Sequence, residues 1–274
     1  MSGYEAPIEV RELEKMINSL AYQCGKDPSQ IFDDFLTYII HGCSPLDGPL
    51  DAWKYKKEHT ILFYQMYTEW LRIMAKESNI LGWYDAFGDL YMSCVAGKSK
   101  QQGTGQFFTP SGICNLMSEL NASNEKITGK YISDPTCGSG RTLLAWHVRN
   151  LGNYLCAEDM DRTCCLMTVC NFFIHGCIGE VIWHNSLEPD SFFDGWQVNE
   201  VLTTSGMPSI RRIKQTESKT WQFWQYQKKA ANTPQIDKEI IIPQSVVSSK
   251  IQQPERTKKR REQANDIQLK LFNF

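Results

Sequence analysis

Along residues 8 to 96 apolar positions recur every three or four places, the spacing of helices that bury one face. Four segments carry it: "IEVRELEKMINSLAYQC", "DPSQIFDDFLTYIIHGC", "DAWKYKKEHTILFYQMYTEWLRIMAKE" and "GWYDAFGDLYMSCVAG". Asp27 before Pro28 reads as an N-cap followed by proline at the first helical position, which fixes one boundary. Residues 97 to 106, "GKSKQQGTGQ", have three glycines and no apolar anchor, and read as a connector into "FFTPSGICNLMSELN", where Thr109 and Pro110 start a helix. The period then changes. "KYISD", "NYLCAED" and "GEVIWHN" read as strands, with "SGRTLLAWHVRNLG" and "DRTCCLMTVCNFFIHGC" as helices between them, and "FDGWQVNEVLTT" supplies a further strand. Strands alternating with helices predict an α/β region built on a parallel sheet with crossover helices. Past Ser205 the regularity fades, and the last 30 or so residues have a disordered composition. The expected division is a helical region over 1–100, an α/β domain over 101–205 and an irregular tail over 206–274.

Charge sharpens that division. The net charge of −2 hides an acidic body, with 15 Lys+Arg against 24 Asp+Glu in residues 1–199, and a basic tail, with 14 against 7 in residues 200–274. A basic tail suits a polyanionic partner such as DNA. No apolar run approaches the ~18–20 residues of a membrane span, and the N-terminus carries acids where a secretory leader needs basic and then apolar residues, so the expectation is a cytoplasmic protein without a membrane. Ten cysteines include no C-x-x-C pair and several sit among apolar neighbours. They read as reduced, buried side chains, not as a disulfide or metal framework.

The candidate chemistry lies in "YISDPTCGSGRTLLAW", a strand, a glycine turn and a helix start. At the carboxyl end of a strand in such a sheet, glycines let the backbone approach a ligand closely. A phosphate-binding loop needs a lysine after its glycines, and none follows; a dinucleotide fingerprint needs a third glycine, and residue 143 is leucine. A zwitterionic adenosine ligand fits better: Asp134 can face an ammonium group while Gly138 and Gly140 leave room for the ligand. The next strand ends in Glu158 and Asp159, where an acid can accept both ribose hydroxyls.

Taken in order, "GQFFTP" (105–110), "DPTCGSG" (134–140), "AEDMD" (157–161) and "HNSL" (184–187) resemble the motifs of adenine-N6 DNA methyltransferases, especially the modification subunits of type I restriction-modification systems. The resemblance covers roughly residues 60 to 195. It implies a helical N-terminal region and a Rossmann-like methyltransferase fold that binds S-adenosylmethionine, needs no metal, and takes DNA as substrate. By position it puts Phe108, Thr109 and Pro110 at the methionine end, Asp134, Gly138 and Gly140 in the main loop, Asp159 at the ribose with Glu158 as its neighbouring rival, and Asn185 at the adenine ring.

One family motif is missing. Methylating an adenine amino group requires the base to be flipped out, stacked and hydrogen-bonded. The family does this with Asn or Asp, two prolines and an aromatic after the fourth strand. Here the corresponding stretch is "SGMPSIRRIK", and neither N-P-P nor D-P-P occurs in the sequence. Asn199 is the nearest amide, no catalytic residue is assigned, and the sheet reads as truncated. The alternative to an active enzyme is therefore a catalytically degenerate protein, associated with DNA or the sliding clamp, that keeps the cofactor fold. Near the C-terminus, Gln268, Leu269, Leu271 and Phe272 resemble the short peptide that docks bacterial proteins on the sliding clamp, and Lys258 to Arg261 could touch DNA phosphates. No stretch resembles a target-recognition domain, so sequence-specific binding calls for a separate specificity subunit.

Overall fold

Helix α1 (Arg11–Cys24) buries Leu13, Ile17, Leu20 and Ala21 on one face and stops at Gly25, whose φ of 62° a side chain would strain. The computed structural model describes residues 6–44, 54–95, 108–121, 127–188 and 190–232. Helix α2 (Pro28–Gly42) starts at the expected Asp27 cap, closed reciprocally by Gln30. Helix α3 (Lys57–Leu81) and the short α4 (Ala86–Leu90), which runs into a π-helical turn over Tyr91–Val95, complete the helical region. Its core is aromatic: Phe32, Phe35, Phe63, Trp70, Phe87 and Tyr91 are all buried, with the Trp70 and Phe87 rings stacked at 5.0 Å.

Helix α5 (Ser111–Leu120) then leads to the sheet. Strands β1 (Tyr131–Asp134), β2 (Tyr154–Asp159) and β3 (Gly179–Trp183) pair in parallel, joined by α6 (Arg141–His147) and α7 (Arg162–Ile174). Helix α7 is buried throughout from Thr163 to Phe172 because α2 covers one side of it and the sheet the other. The two regions expected as separate domains thus share one core, and the described residues form a single unit.

Beyond β3 the structure departs from the expected parallel sheet. Strand β4 (Asp194–Val198) pairs antiparallel with β3, Trp183 facing Asp194 and Gly179 facing Val198. The described residues of the ten-residue connection 184–193 hold no helix, and a parallel return needs a crossover of a dozen or more residues. After α8 (Leu202–Ser205), β5 (Ile210–Arg212) adds antiparallel to β4, giving the order β1-β2-β3-β4-β5.

The expected tail boundary at 206 therefore moves. β5 belongs to the sheet, and α9 (Lys219–Asn232) lies on the sheet face that carries Tyr154, Cys156 and Glu158. What recruits α9 is a buried carboxylate: Glu180 accepts hydrogen bonds from the Ser218 hydroxyl (3.0 Å) and from the backbone N–H groups of Lys219 (3.1 Å) and Thr220 (2.5 Å). An acid on β3 thus caps a helix some forty residues later, a pairing no local pattern announces. Glu180→Ala should release α9 at a cost of about 3 kcal/mol, and amide exchange over 219–232 should accelerate about 100-fold. Unchanged exchange there would show that packing alone holds the helix.

No described helix is long and apolar enough to cross a membrane. The nine described cysteines are free, and no cluster of metal-ligating side chains occurs among the described residues. Lys258 to Arg261, together with Gln268, Leu269, Leu271 and Phe272, lie outside the described residues.

Candidate functional site

β1 ends at Asp134, and the chain turns through residues 135–140 into α6. Asp134 Oδ1 accepts the Thr136 N–H at 3.1 Å, a local turn that holds the carboxylate at the strand end. Gly138 and Gly140 both have positive φ, 56° and 86°. Space demands glycine as well: a Cβ on Gly138 would meet the Phe108 ring at 3.0 Å, and one on Gly140 would meet Thr168 at 3.0 Å. Phe108 is thereby placed over the turn, 5.3 Å from the Tyr91 ring.

The turn is fixed from three sides. From β2, Asp159 Oδ2 accepts the Gly138 N–H at 2.9 Å while its Oδ1 accepts that of Asp161 at 2.8 Å. From α7, the Thr168 hydroxyl donates to the Gly138 carbonyl (2.9 Å) and the Asn171 amide to the Ser139 carbonyl (2.8 Å). From the helical region, buried Asp85 accepts from the Ser139 hydroxyl (2.5 Å), Arg141 Nε (2.5 Å), Asn171 Nδ2 (2.8 Å) and the Gly88 N–H (2.8 Å). Arg141 also pairs with Asp89, which takes the Tyr84 hydroxyl. Sequence reasoning missed Asp85, Thr168 and Asn171. Two signals were available: polar residues three apart in an otherwise apolar helix, and Asp85 three residues before Gly88, the spacing of a helix cap.

A cleft of ~400 Å³ opens beside the turn, lined by Thr109, Met117, Ile132, Asp134 and Thr136 among others. That volume is within the range of small-molecule sites. Asp134 and Asp159 are half-buried, and both carboxyls titrate above the usual range because burial disfavours their charge, with the N–H groups of Thr136 for Asp134, and of Asp161 and Gly138 for Asp159, opposing part of the shift. A cation arriving at Asp134 would relieve that cost.

A strand-end carboxylate, a two-glycine turn at positive φ and a second acid gripping that turn now stand together, and a family model for N-6 DNA methylases matches residues 83–234, more than half of the chain. The chain belongs to the N-6 DNA methylase family. Comparisons with curated proteins and with solved structures give no match. The matched segment begins just ahead of Asp85, so the methylase domain takes in the network that braces the turn from the helical side.

Within this methylase domain the expected residues separate. Phe108, Thr109, Asp134, Gly138, Gly140 and Asp159 gather around the turn, with Pro110 exposed at the start of α5. Glu158 does not join them: successive strand residues face opposite sides, and Glu158 is fully buried on the other face, where it accepts from Trp224 Nε1 (2.7 Å), pairs with His184 Nε2 (2.6 Å) and lies 3.3 Å from the Ser133 hydroxyl. Asn185 sits just past β3, its Oδ1 accepting the Leu187 N–H at 3.1 Å. Asn199 lies elsewhere altogether. Because β4 runs antiparallel to β3, Asn199 emerges at the end of the sheet opposite the glycine turn. Its amide is spent on the carbonyls of Phe172 and Cys177 and on the Ser209 N–H.

Gly138→Ala tests the turn. Left-handed backbone and the Phe108 collision together should cost about 2 kcal/mol, read as a lower midpoint in urea unfolding. An unchanged midpoint would mean that the turn and Phe108 yield freely.

Proposed function

We propose that the methylase domain binds S-adenosylmethionine at the glycine turn and serves methyl transfer to adenine N6 in DNA. The observation that carries this reading is the grip of Asp159 on the Gly138 N–H beside Asp134, which joins the ends of β1 and β2 into one ligand-facing surface. Asp134 would face the ammonium group, with Phe108, Thr109 and Pro110 along the methionine chain. Each Asp159 oxygen keeps a second lone pair beyond its backbone donor, and these would take the ribose hydroxyls. Asn185 and its turn would border the adenine ring. Glycine at 138 and 140 keeps side-chain bulk out of that surface, and the bracing from Asp85, Thr168 and Asn171 lets the turn meet the ligand already ordered. When bound, the cofactor supplies an electrophilic methyl: the S–CH₃ bond breaks as the N6 lone pair forms the N–CH₃ bond, leaving a neutral thioether, while the N6 proton passes to solvent.

A second reading is favoured by Asn199. Its position at the opposite end of the sheet and its spent amide take Asn199 out of reach of a base on the cofactor side. In that reading the chain alone binds the cofactor and transfers nothing. Calorimetry with S-adenosylmethionine, run beside transfer of labelled methyl to mixed-sequence DNA, separates the two. Binding with N6-methyladenine supports a self-sufficient enzyme, binding without transfer supports the second reading, and failure to bind removes both.

A further inference from the structure

We infer that helix α9 is a positioning element of the cofactor site: through the buried Glu158–His184 pair it holds β2 from behind, so that docking of α9 and binding of the cofactor favour each other. The inference rests on the cofactor reading above.

The first ground is where the pair sits. Asp134, Asp159 and Asn185 each follow directly in the chain on a member of one cluster, Ser133, Glu158 and His184. Along β1 and β2 successive residues face opposite sides of the sheet, so this cluster lies immediately behind the two carboxylates. Glu158 and His184 have no exposed surface, and Glu158 Oε2 meets both His184 Nε2 (2.6 Å) and the Trp224 Nε1–H of α9 (2.7 Å). His184 Nδ1 is buried without a hydrogen-bond partner, so the polar hold on this ring is Glu158. Burying a carboxylate this fully is costly unless donors surround it. One of those donors comes from outside the sheet, and the seat of Glu158 therefore depends on α9.

The second ground is how that seat reaches the cofactor side. The Glu158 carbonyl accepts the Cys137 N–H at 2.8 Å, inside the glycine turn, and the Asp159 carbonyl accepts the His184 N–H at 3.0 Å. With the Asp159 side chain on the Gly138 N–H, a shift of the buried pair moves Cys137, Gly138 and Asp159 together. Helix α9 also reaches the connection after β3. Gln225 Nε2 donates to Asp190 Oδ1 at 3.1 Å and the Lys228 ammonium pairs with the same carboxylate. The next residue, Ser191, takes the Asn185 N–H on its hydroxyl at 2.9 Å.

The third ground is that α9 can leave. Glu180 pins its first turn, but from Trp221 to Lys229 no residue is buried, so the helix lies on the sheet and not within the core. Elements with so little burial open locally while the rest of the fold stays closed. A helix with docked and undocked arrangements, of which the cofactor site favours one, is the two-state element that coupling requires.

The test pairs calorimetry with amide exchange on the full chain. Trp224→Phe keeps an aromatic ring and removes the N–H that Glu158 accepts, and it should weaken S-adenosylmethionine binding about 10-fold. Ile17→Val, a buried change in α1, should lower the urea midpoint and leave that affinity unchanged. In the wild type, saturating S-adenosylmethionine should slow exchange over 221–229 by a similar factor, because coupling between two sites is reciprocal. Unchanged affinity in Trp224→Phe, an equal loss in Ile17→Val, or exchange over 221–229 indifferent to the cofactor would each overturn the inference and leave the cofactor reading standing. Failure of the wild type to bind would instead remove the cofactor reading, and the coupling with it.

Discussion

Asp85→Ala is expected to cost the fold about 3–5 kcal/mol, the range for removing one partner of a buried ion pair. Its carboxylate serves four donors, and all four lose it at once: the Arg141 guanidinium, the Ser139 hydroxyl, the Asn171 amide and the Gly88 N–H. Arg141 is only 11% exposed, so it keeps its charge in a site where Asp89 alone remains to answer it. Urea unfolding followed by tryptophan fluorescence measures the loss. Arg149→Ala, which breaks the exposed pair with Glu119, is the control and should shift stability by less than about 1 kcal/mol. If Asp85→Ala does not fold, Ser139→Ala probes the same network more gently, at about 1–2 kcal/mol. A loss for Asp85→Ala no larger than for Arg149→Ala would mean that the turn does not depend on the helical region.

The second large effect is at Asp134. Asp134→Asn should weaken S-adenosylmethionine binding by about 100-fold, since a charge-assisted contact to the ammonium group is worth roughly 1.5–3 kcal/mol. The same change should raise the thermal midpoint of the free protein. Burial lifts this carboxyl above its ordinary range, so its contribution to stability is complete at low pH and is lost as pH rises through the raised value. At neutral pH the ionised carboxylate therefore works against the fold, and asparagine removes that cost while still accepting the Thr136 N–H. The stability gap between the two proteins should close as pH falls into the carboxylate range, and cofactor binding by the wild type should weaken over the same interval. Paired calorimetry and thermal melts across pH check both. Equal affinities would take Asp134 out of the binding site, and a midpoint that falls would contradict the burial argument.

Much of this molecule was legible before any coordinates. Helical spacing located α1, α2 and α3, because an amphipathic stripe is a one-dimensional record of which face is buried. Asp27 and Pro28 marked the start of α2 because a capping box spans only four residues. The glycine turn was equally local, since glycine is the residue that permits the positive φ found at Gly138 and Gly140. The order of the motifs was enough to suggest the N-6 DNA methylase family.

What only the tertiary structure decided depends on partners far apart in the chain. Period-two alternation shows that a strand exists but not which neighbour it pairs with, so β4 could read as one more strand of a parallel sheet and yet turn back antiparallel through a short connection. The same turn-back sent Asn199 to the far end of the sheet. Glu158 and Asp159 are neighbours in sequence, and only the pleat put one against His184 and Trp224 and the other against the glycine turn. Helix α9 follows a carboxylate on β3, and Asp85 reaches Ser139 across 54 positions. Such contacts form because buried polar groups must find partners, and the chain finds them wherever folding brings them close.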